Sequence, residues 1–221
     1  MKIKNIFSIS LLAFVLVFSF ACKCPIIDDV TTSLESTSRN WKIDACCESS
    51  FDLKSNGATK TFNVIMPLAD EFDVVSTSRR GKCVEGRNER FDRVYTASDN
   101  TKFSIKIYPY THGDEISVEV NGLFFTYNFQ KQLLIYMKVL EYSKSKTYYS
   151  DGSVKGDEIA STLKFYTNFD INGKIYENVM HFQLRDFAER LTSSTTTDIY
   201  IAQHNGLVKY RLFGGLEFVR E

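Results

Sequence analysis

The stretch Ile116-Ser-Val-Glu-Val-Asn-Gly-Leu-Phe-Phe-Thr-Tyr-Asn-Phe129 decides the fold of this chain. Before Asn121-Gly122 an apolar residue stands at every second position, and after it Phe125, Tyr127 and Phe129 share one face. Asn and Gly both tolerate positive φ, which the tight type I′ turn requires. The stretch therefore predicts an antiparallel hairpin with one buried face.

The same signals recur along the chain and predict more hairpins. Related turn pairs stand at Asn56-Gly57, Asp151-Gly152, Asn172-Gly173 and Asn205-Gly206. Strand-like sequence covers Thr61 to Met66, Phe103 to Tyr108, Leu163 to Ile171, Met180 to Leu184 and Ile199 to Ala202, while Leu133 to Tyr142 fits a central strand or a short helix. We expect an all-β fold with little helix, an antiparallel meander of long hairpins that curls into a sandwich or half-open barrel.

The N-terminus has the features of an export signal. Lys2 and Lys4 precede the uncharged run Ile6 to Phe20, and the small residue Ala21 follows. As a helix this run would reach only about 22 Å, which is less than the ~30 Å hydrocarbon core of a membrane. We therefore interpret residues 1–21 as a cleaved signal peptide and not as a permanent membrane span.

The cysteine directly after Ala21 makes this segment resemble a bacterial lipoprotein signal of the Bacteroidota type. The resemblance implies that Cys22 is lipidated and becomes the first residue of the mature protein. The alternative is ordinary cleavage after Ser19-Phe20-Ala21, which leaves a soluble protein with an unmodified Cys22. We assign the polar, aperiodic residues 22–40 to a flexible tether and residues 41–221 to a single β-rich domain.

Four further cysteines, Cys24, Cys46, Cys47 and Cys83, are candidates for disulfides in an exported protein. A bond between the adjacent Cys46 and Cys47 would be strained, so Cys24 and Cys83 would each pair with one of them. A set of reduced, buried thiols is the alternative. Four-cysteine zinc binding lacks the usual C-x2-C spacing, and we predict no metal site and no cofactor.

One strongly cationic segment, Ser78 to Arg93, could meet an anionic partner such as lipid phosphates or an acidic polysaccharide. Its six bases are Arg79, Arg80, Lys82, Arg87, Arg90 and Arg93. The alternative is a solvated loop held by Cys83. The mature chain keeps 25 of the 27 basic residues against 27 acidic ones, a net charge of −2, which argues against nucleic-acid binding.

Catalytic motifs are weak in this sequence. It contains neither a Gly-x-Ser-x-Gly elbow nor a His-Glu-x-x-His zinc motif. We interpret His112 with Asp114 as part of a solvated turn, and His181 and His204 as structural. We therefore predict no enzyme activity, with a hydrolase that lacks a recognisable motif as the third-ranked alternative.

Phe169 to Val179 and Asp198 to Tyr210 resemble the terminal hairpins of β-rich Bacteroidota cell-envelope lipoproteins. The resemblance implies an exported, lipid-anchored protein at the outer membrane. We expect its domain to bind or scaffold an envelope protein, a glycan or a lipid. The alternative function is a carrier of lipid or another small hydrophobe, with Phe124, Phe125, Tyr127, Phe129, Tyr136 and Phe165 around a cavity.

Overall fold

The computed structural model describes residues 30–43, 49–66, 72–79, 82–110, 112–140, 144–148, 153–156, 159–187 and 191–220. In this part of the chain the strands are β1 (Val30–Thr32), β2 (Ser50–Ser55), β3 (Ala58–Met66), β4 (Phe72–Arg79), β5 (Lys82–Glu89), β6 (Phe91–Ala97), β7 (Lys102–Tyr108), β8 (Glu115–Val120), β9 (Leu123–Asn128), β10 (Leu133–Val139), β11 (Lys144–Tyr148), β12 (Val154–Gly156), β13 (Ile159–Ile171), β14 (Lys174–Phe187), β15 (Thr196–Ala202), β16 (Gly206–Leu212) and β17 (Glu217–Val219). One short helix, α1, spans Ser36–Arg39. The expectation of a fold that is nearly all strand is confirmed.

The chain divides into two units. The first comprises residues 1–32 and 74–88, and its described strands form a three-stranded sheet in the order β1-β5-β4 with β1 parallel to β5. The second comprises residues 33–73 and 89–221, in which fourteen described strands form one antiparallel sheet. The grooves and side-chain clusters described below belong to this second unit.

The large sheet curls until its two edge strands approach each other. Its order runs from β12 through β6, β3 and β2 to β17 and then to β13, so β12 and β13 are its opposite edges. Gly156 and Ile159 are three positions apart, which limits their Cα atoms to about 11 Å. The hydroxyls of Tyr148 on β11 and Ser161 on β13 also lie 3.2 Å apart. Because no described ladder joins β12 to β13, the sheet stays open along this seam, as a half-open barrel does.

The turns follow the local sequence. Asn121 and Gly122 have φ values of 46° and 83°, and Asn172 and Gly173 have φ values of 53° and 84°. Two successive positive φ angles in a two-residue loop define the type I′ turn predicted for these pairs. Leu133 to Val139 forms the strand β10, which resolves the strand-or-helix alternative for that segment.

Aromatic and aliphatic side chains fill the interior of the sheet. Phe125 on β9 stacks on Phe182 on β14, with ring centroids 4.6 Å apart and an interplanar angle of 9°. The buried faces of the two hairpins therefore pack against each other. The largest fully buried rings among the described residues are Phe62, Tyr95, Phe103, Phe125, Phe182 and Tyr210.

Residues 33–43, which we call the strap, belong to the folded unit although the sequence placed 33–40 in a flexible tether. Leu34, Trp41 and Ile43 are buried with the core of the sheet, and Ser38 of α1 is buried as well. Ile43 bridges to His204, and the His204 amide donates to the Asn40 carbonyl. Burial of three large apolar side chains holds the strap across one end of the sheet. We call this end the strap end.

Candidate functional site: an aromatic groove at the strap end

A groove of about 340 Å3 opens at the strap end of the sheet. It lies between the strap, the turn that joins β9 to β10, the middle of the β13–β14 hairpin and the turn that joins β15 to β16. Its lining residues are Thr37, Asn40, Trp41, Tyr127, Phe129, Gln132, Phe165, Tyr166, Thr167, Asn178 and Gln203. We call this feature the aromatic groove. Its volume is at the small end of the range for ligand pockets, and the mouth of a barrel is a common place for one.

Four rings form a connected wall in the aromatic groove. Phe165 meets Trp41 edge-on with centroids 6.3 Å apart, and it meets Tyr127 at 5.1 Å. Phe129 meets Trp41 at 6.1 Å and Tyr127 at 5.5 Å. Trp41 is only 4% exposed, whereas Phe165 is 50% exposed. The buried rings therefore support a ring that offers much of its surface to solvent.

The remaining groups in the lining are neutral hydrogen-bonding side chains. Asn178 donates its side-chain amide to Gln203 Oε1 at 2.9 Å. The side chains of Thr37, Asn40 and Gln132 make no hydrogen bond to any other described residue, so their polar groups are available to a ligand. Among the described residues, the lining contains no charged side chain and no Ala, Val, Leu, Ile or Met.

Burial raises the pKa of the Tyr127 phenol above its ordinary value. The phenol therefore stays protonated at neutral pH, and the aromatic groove carries no charge from this group either.

Two residues of the lining have unusual backbone angles. Gln132 has φ of 51° and Asn178 has φ of 49°, in the left-handed region that few non-glycine residues adopt. Such conformations cost free energy and are often found at ligand sites. Asn178 stands opposite Thr167 in the β13–β14 hairpin, between the pairs Tyr166–Val179 and Asn168–Glu177, and both residues line the groove.

Glu89 fixes the strap that forms the other wall. Its carboxylate accepts hydrogen bonds from the Leu34 amide at 3.0 Å, from Arg39 Nη2 at 2.7 Å and from Lys42 Nζ at 2.6 Å. Burial alone would raise the pKa of Glu89, but these donors outweigh it and lower the pKa to about 2. Asp114 adds a second anchor by accepting the Glu35 amide at 2.7 Å. Trp41 is therefore positioned by charge-assisted hydrogen bonds as well as by packing.

Between Asn178 and its turn, the β13–β14 hairpin covers the outer face of β15 and β16. Phe169 stacks on Tyr200 with centroids 5.1 Å apart, and the Tyr176 hydroxyl donates to the Arg220 carbonyl at 3.2 Å. This second layer buries Ala202 and Val208, which face away from the main core.

Under this layer lies a His–Asp pair that a search for catalytic residues would single out. His181 Nε2 lies 2.9 Å from Asp198 Oδ1, and Arg211 Nε and Nη2 donate to Oδ2 at 2.8 and 2.7 Å. Gln183 and Thr197 donate to the same carboxylate. Burial would raise the pKa of Asp198, but the hydrogen bonds from its partners outweigh burial and lower it.

The geometry of this pair fits a structural role. Asp198 is 1% exposed, and the His181 ring is stacked on Tyr200 at 4.0 Å. His181 Nδ1, the nitrogen that would act as a base, is buried and has no hydrogen-bond partner among the described residues. This nitrogen is closed off from solvent, and the hydrogen bonds of the pair cross-link β14, β15 and β16.

The other histidine segment is also structural. The carbonyl of His112 accepts the Asn128 amide at 3.2 Å, and Asp114 is buried where it accepts the Glu35 amide. Asp114 thus anchors the strap and does not lie in a solvated turn. His204 stands at φ of 61° in the turn before β16.

The predicted sites near the N-terminus lie largely outside the described residues. Cys22, Cys24, Cys46 and Cys47 are outside them, and for Cys83 only the backbone in β5 is described. Their lipidation and pairing stay predictions.

The six candidate bases are divided between the two units. Arg79, Lys82 and Arg87 lie on β4 and β5 of the first unit, and Arg80 is outside the described residues. Arg90 and Arg93 belong to the second unit, where Arg93 is buried with its guanidinium over the Phe91 ring. The role of this segment with an anionic partner stays a prediction.

Two larger grooves differ from the aromatic groove in the residues that line them. One of about 610 Å3 is lined mainly by the β2–β3 turn, and one of about 530 Å3 by the ends of β14 and β16. Both contain charged side chains, and the described residues of neither include a set of contacting rings. The aromatic groove is therefore the stronger candidate for ligand binding.

Comparisons with protein-family models, with curated proteins and with solved structures gave no match to this chain. Within the described residues, no helix is both long and apolar enough to cross a membrane. The same part of the chain contains no group of three or more His, Cys, Asp or Glu side chains arranged to hold a metal ion.

Sequence reasoning named three of the four rings of the wall but missed Trp41, the strap and the amides. The available signal was the isolated cluster Leu34, Trp41 and Ile43 in an otherwise polar segment. A large apolar residue in such a segment indicates a docking point on a folded unit.

Proposed function

We propose that this protein is exported, anchored to the cell envelope by lipid on Cys22, and acts there as a non-catalytic binding protein. Its ligand would occupy the aromatic groove. The observation that carries the proposal is a small wall of contacting rings beside neutral polar side chains, of which Thr37, Asn40 and Gln132 make no hydrogen bond to any other described residue.

The chemistry of the described residues supports binding over catalysis. The His181–Asp198 pair is buried under the β13–β14 hairpin, and Asp198 already accepts bonds from Gln183, Thr197 and Arg211. General base catalysis requires a group within hydrogen-bond reach of the substrate.

The packing of the interior supports a binding module over a carrier. A carrier would keep space between the two halves of the curled sheet, and rings such as Phe125 would line it. Phe125 instead lies in van der Waals contact with Phe182, and both rings are fully buried. A ligand would thus bind at the rim of the sheet and not inside it.

Lipid anchoring is tested by metabolic labelling. When the full chain is expressed in a Bacteroidota host, we expect it to take up labelled fatty acid and to partition into detergent. Cys22→Ser should abolish both. Recovery of unlabelled wild-type protein in the soluble fraction, with an unmodified Cys22 at its N-terminus, would contradict the anchor.

Binding at the groove is tested by fluorescence, because Trp41 is the single tryptophan of the chain. A panel of neutral saccharides, anionic lipid vesicles and proline-rich peptides is titrated against the protein. We expect at least one of these classes to change Trp41 emission in a saturable way. Phe165→Ala should weaken that response, whereas Phe213→Ala should not, because Phe213 is similarly exposed at 57% but lies in the β16–β17 turn, at the other end of β16. The proposed site would be refuted if the two variants gave the same change in Trp41 emission. It would also be refuted if none of the three classes of ligand changed the emission of the wild type.

A further inference from the structure

We infer that the ligand of the aromatic groove is a neutral saccharide. This inference rests on the proposed binding function and adds the chemical class of the ligand. Three properties of the lining carry it: its charge, the kind of apolar surface it offers, and the hydrogen-bonding capacity of its polar groups.

The charge of the lining disfavours ionic ligands. None of the described side chains in the lining is charged, and burial keeps the Tyr127 phenol neutral. The strongest hydrogen bonds to a phosphate, a carboxylate or an ammonium group come from side chains of opposite charge. An acidic sugar or a phospholipid head group would therefore lose its hydration in this groove without gaining an ion pair.

The large apolar side chains among the described residues of the lining are all aromatic, namely Trp41, Tyr127, Phe129, Phe165 and Tyr166. Acyl chains are flexible, and they are held in cavities that bury most of their length. The aromatic groove is too small for this, at about 340 Å3, and the buried rings of Trp41 and Tyr127 form part of its wall. A flat ring instead suits a flat, rigid partner.

A pyranose ring is such a partner. One of its faces carries C–H groups, which are slightly positive, and the face of an aromatic ring carries negative charge density. Phe165 is half exposed, and its orientation is held by an edge contact with Trp41 at 80° and by Tyr127 behind it. A platform that is already rigid loses little entropy when a ligand stacks on it.

The polar groups match the rim of hydroxyls on the same sugar. Hydroxyls and side-chain amides each donate and accept hydrogen bonds, as do the groups of Thr37, Asn40 and Gln132 around the rings. A proline-rich peptide also docks on aromatic rings, but it presents mainly carbonyl acceptors. With such a peptide, the side chains of the lining could donate hydrogen bonds but would find few donors for their own oxygen atoms to accept from. The lining therefore favours a saccharide.

The test uses the full-length protein and a panel of defined probes. Neutral probes are oligosaccharides of glucose, mannose, xylose, galactose and N-acetylglucosamine. The comparison probes are oligogalacturonate, phosphatidylglycerol vesicles and a polyproline peptide. Trp41 emission and isothermal calorimetry report binding.

We expect saturable binding of at least one neutral oligosaccharide with a Kd of about 1 mM or tighter. Phe165→Ala should weaken it about tenfold, and Thr37→Ala, which removes only a hydroxyl from an exposed position, should weaken it severalfold. Phe213→Ala should leave it unchanged. Because Thr37 and Phe165 are both solvent-exposed, their variants should keep the cooperative unfolding of the wild type.

Failure of the saccharide inference and failure of the proposed function are distinguishable. If vesicles or the peptide bind in a Phe165-dependent manner and no neutral saccharide binds at about 10 mM, the ligand class is wrong and the groove remains a binding site. If a saccharide binds equally well to Phe165→Ala, the platform assigned here is wrong. If no probe binds, both proposals are refuted.

Discussion

Truncation of Phe125 tests whether the interior of the sheet is filled. The side chain is 0% exposed, and its ring lies 4.6 Å from that of Phe182. Phe125→Ala removes this stacking and leaves a cavity between two layers of a sheet that cannot collapse without disturbing its ladders. We expect a loss of about 3 to 5 kcal/mol in the free energy of unfolding.

Two exposed phenylalanines provide a graded comparison within the same protein. Phe165 keeps half of its surface in solvent, so Phe165→Ala should cost only about 1 to 2 kcal/mol, and Phe213→Ala less than about 1 kcal/mol. Urea denaturation monitored by far-ultraviolet circular dichroism measures the three values, with an unchanged m-value as the condition for comparing them. If Phe125→Ala lowers the free energy of unfolding by only about 1 kcal/mol, the reasoning is refuted. Such a small loss would mean that the ring already borders an empty space, as in a carrier.

Glu89 should make the protein sensitive to acid, because its folded pKa of about 2 is depressed below its unfolded value of about 4.5. The carboxylate contributes up to about 3 kcal/mol above pH 4.5, and this is lost as the pH falls from about 4.5 towards 2. Unfolding curves of Glu89→Gln should show lower stability at neutral pH and a flatter pH dependence in this window; a slope equal to that of the wild type would contradict the role of Glu89. Gly206→Ala should destabilise the strap end, since Gly206 has φ of +70° and an added Cβ would come within 2.5 Å of Ile43 Cδ1. Its melting temperature should fall by several degrees. Gly57→Ala is the control, because Gly57 has a similar φ of +80° and an added Cβ there meets nothing within 4 Å. The melting temperature of Gly57→Ala therefore reports the backbone strain alone, and the further loss in Gly206→Ala reports the contact with Ile43.

Strands and turns were predictable from the sequence because their causes are local. Side chains alternate between the two faces of a strand, so the pattern Ile116, Val118, Val120 predicts a buried face wherever the strand pairs. Asn121 and Gly122 adopt positive φ for reasons contained in those two residues. The all-β class and the main hairpins follow from such signals, and so does the expectation that the sheet curls, since twist accumulates over many strands.

The aromatic groove could not be predicted in this way, because it depends on which surfaces the curl brings together. Phe125 and Phe165 look alike in sequence, yet the first is buried between two layers and the second is half exposed at the rim.

Trp41 reaches the rim because the strap that carries it packs on the core and is bound by Glu89, a residue far along the chain. The sequence by itself therefore determined the elements, their turns and their buried faces, through backbone preferences and a period of two. Only the tertiary structure decided which rings fill the interior and which remain available to a ligand, because packing between distant segments sets the exposure of each side chain.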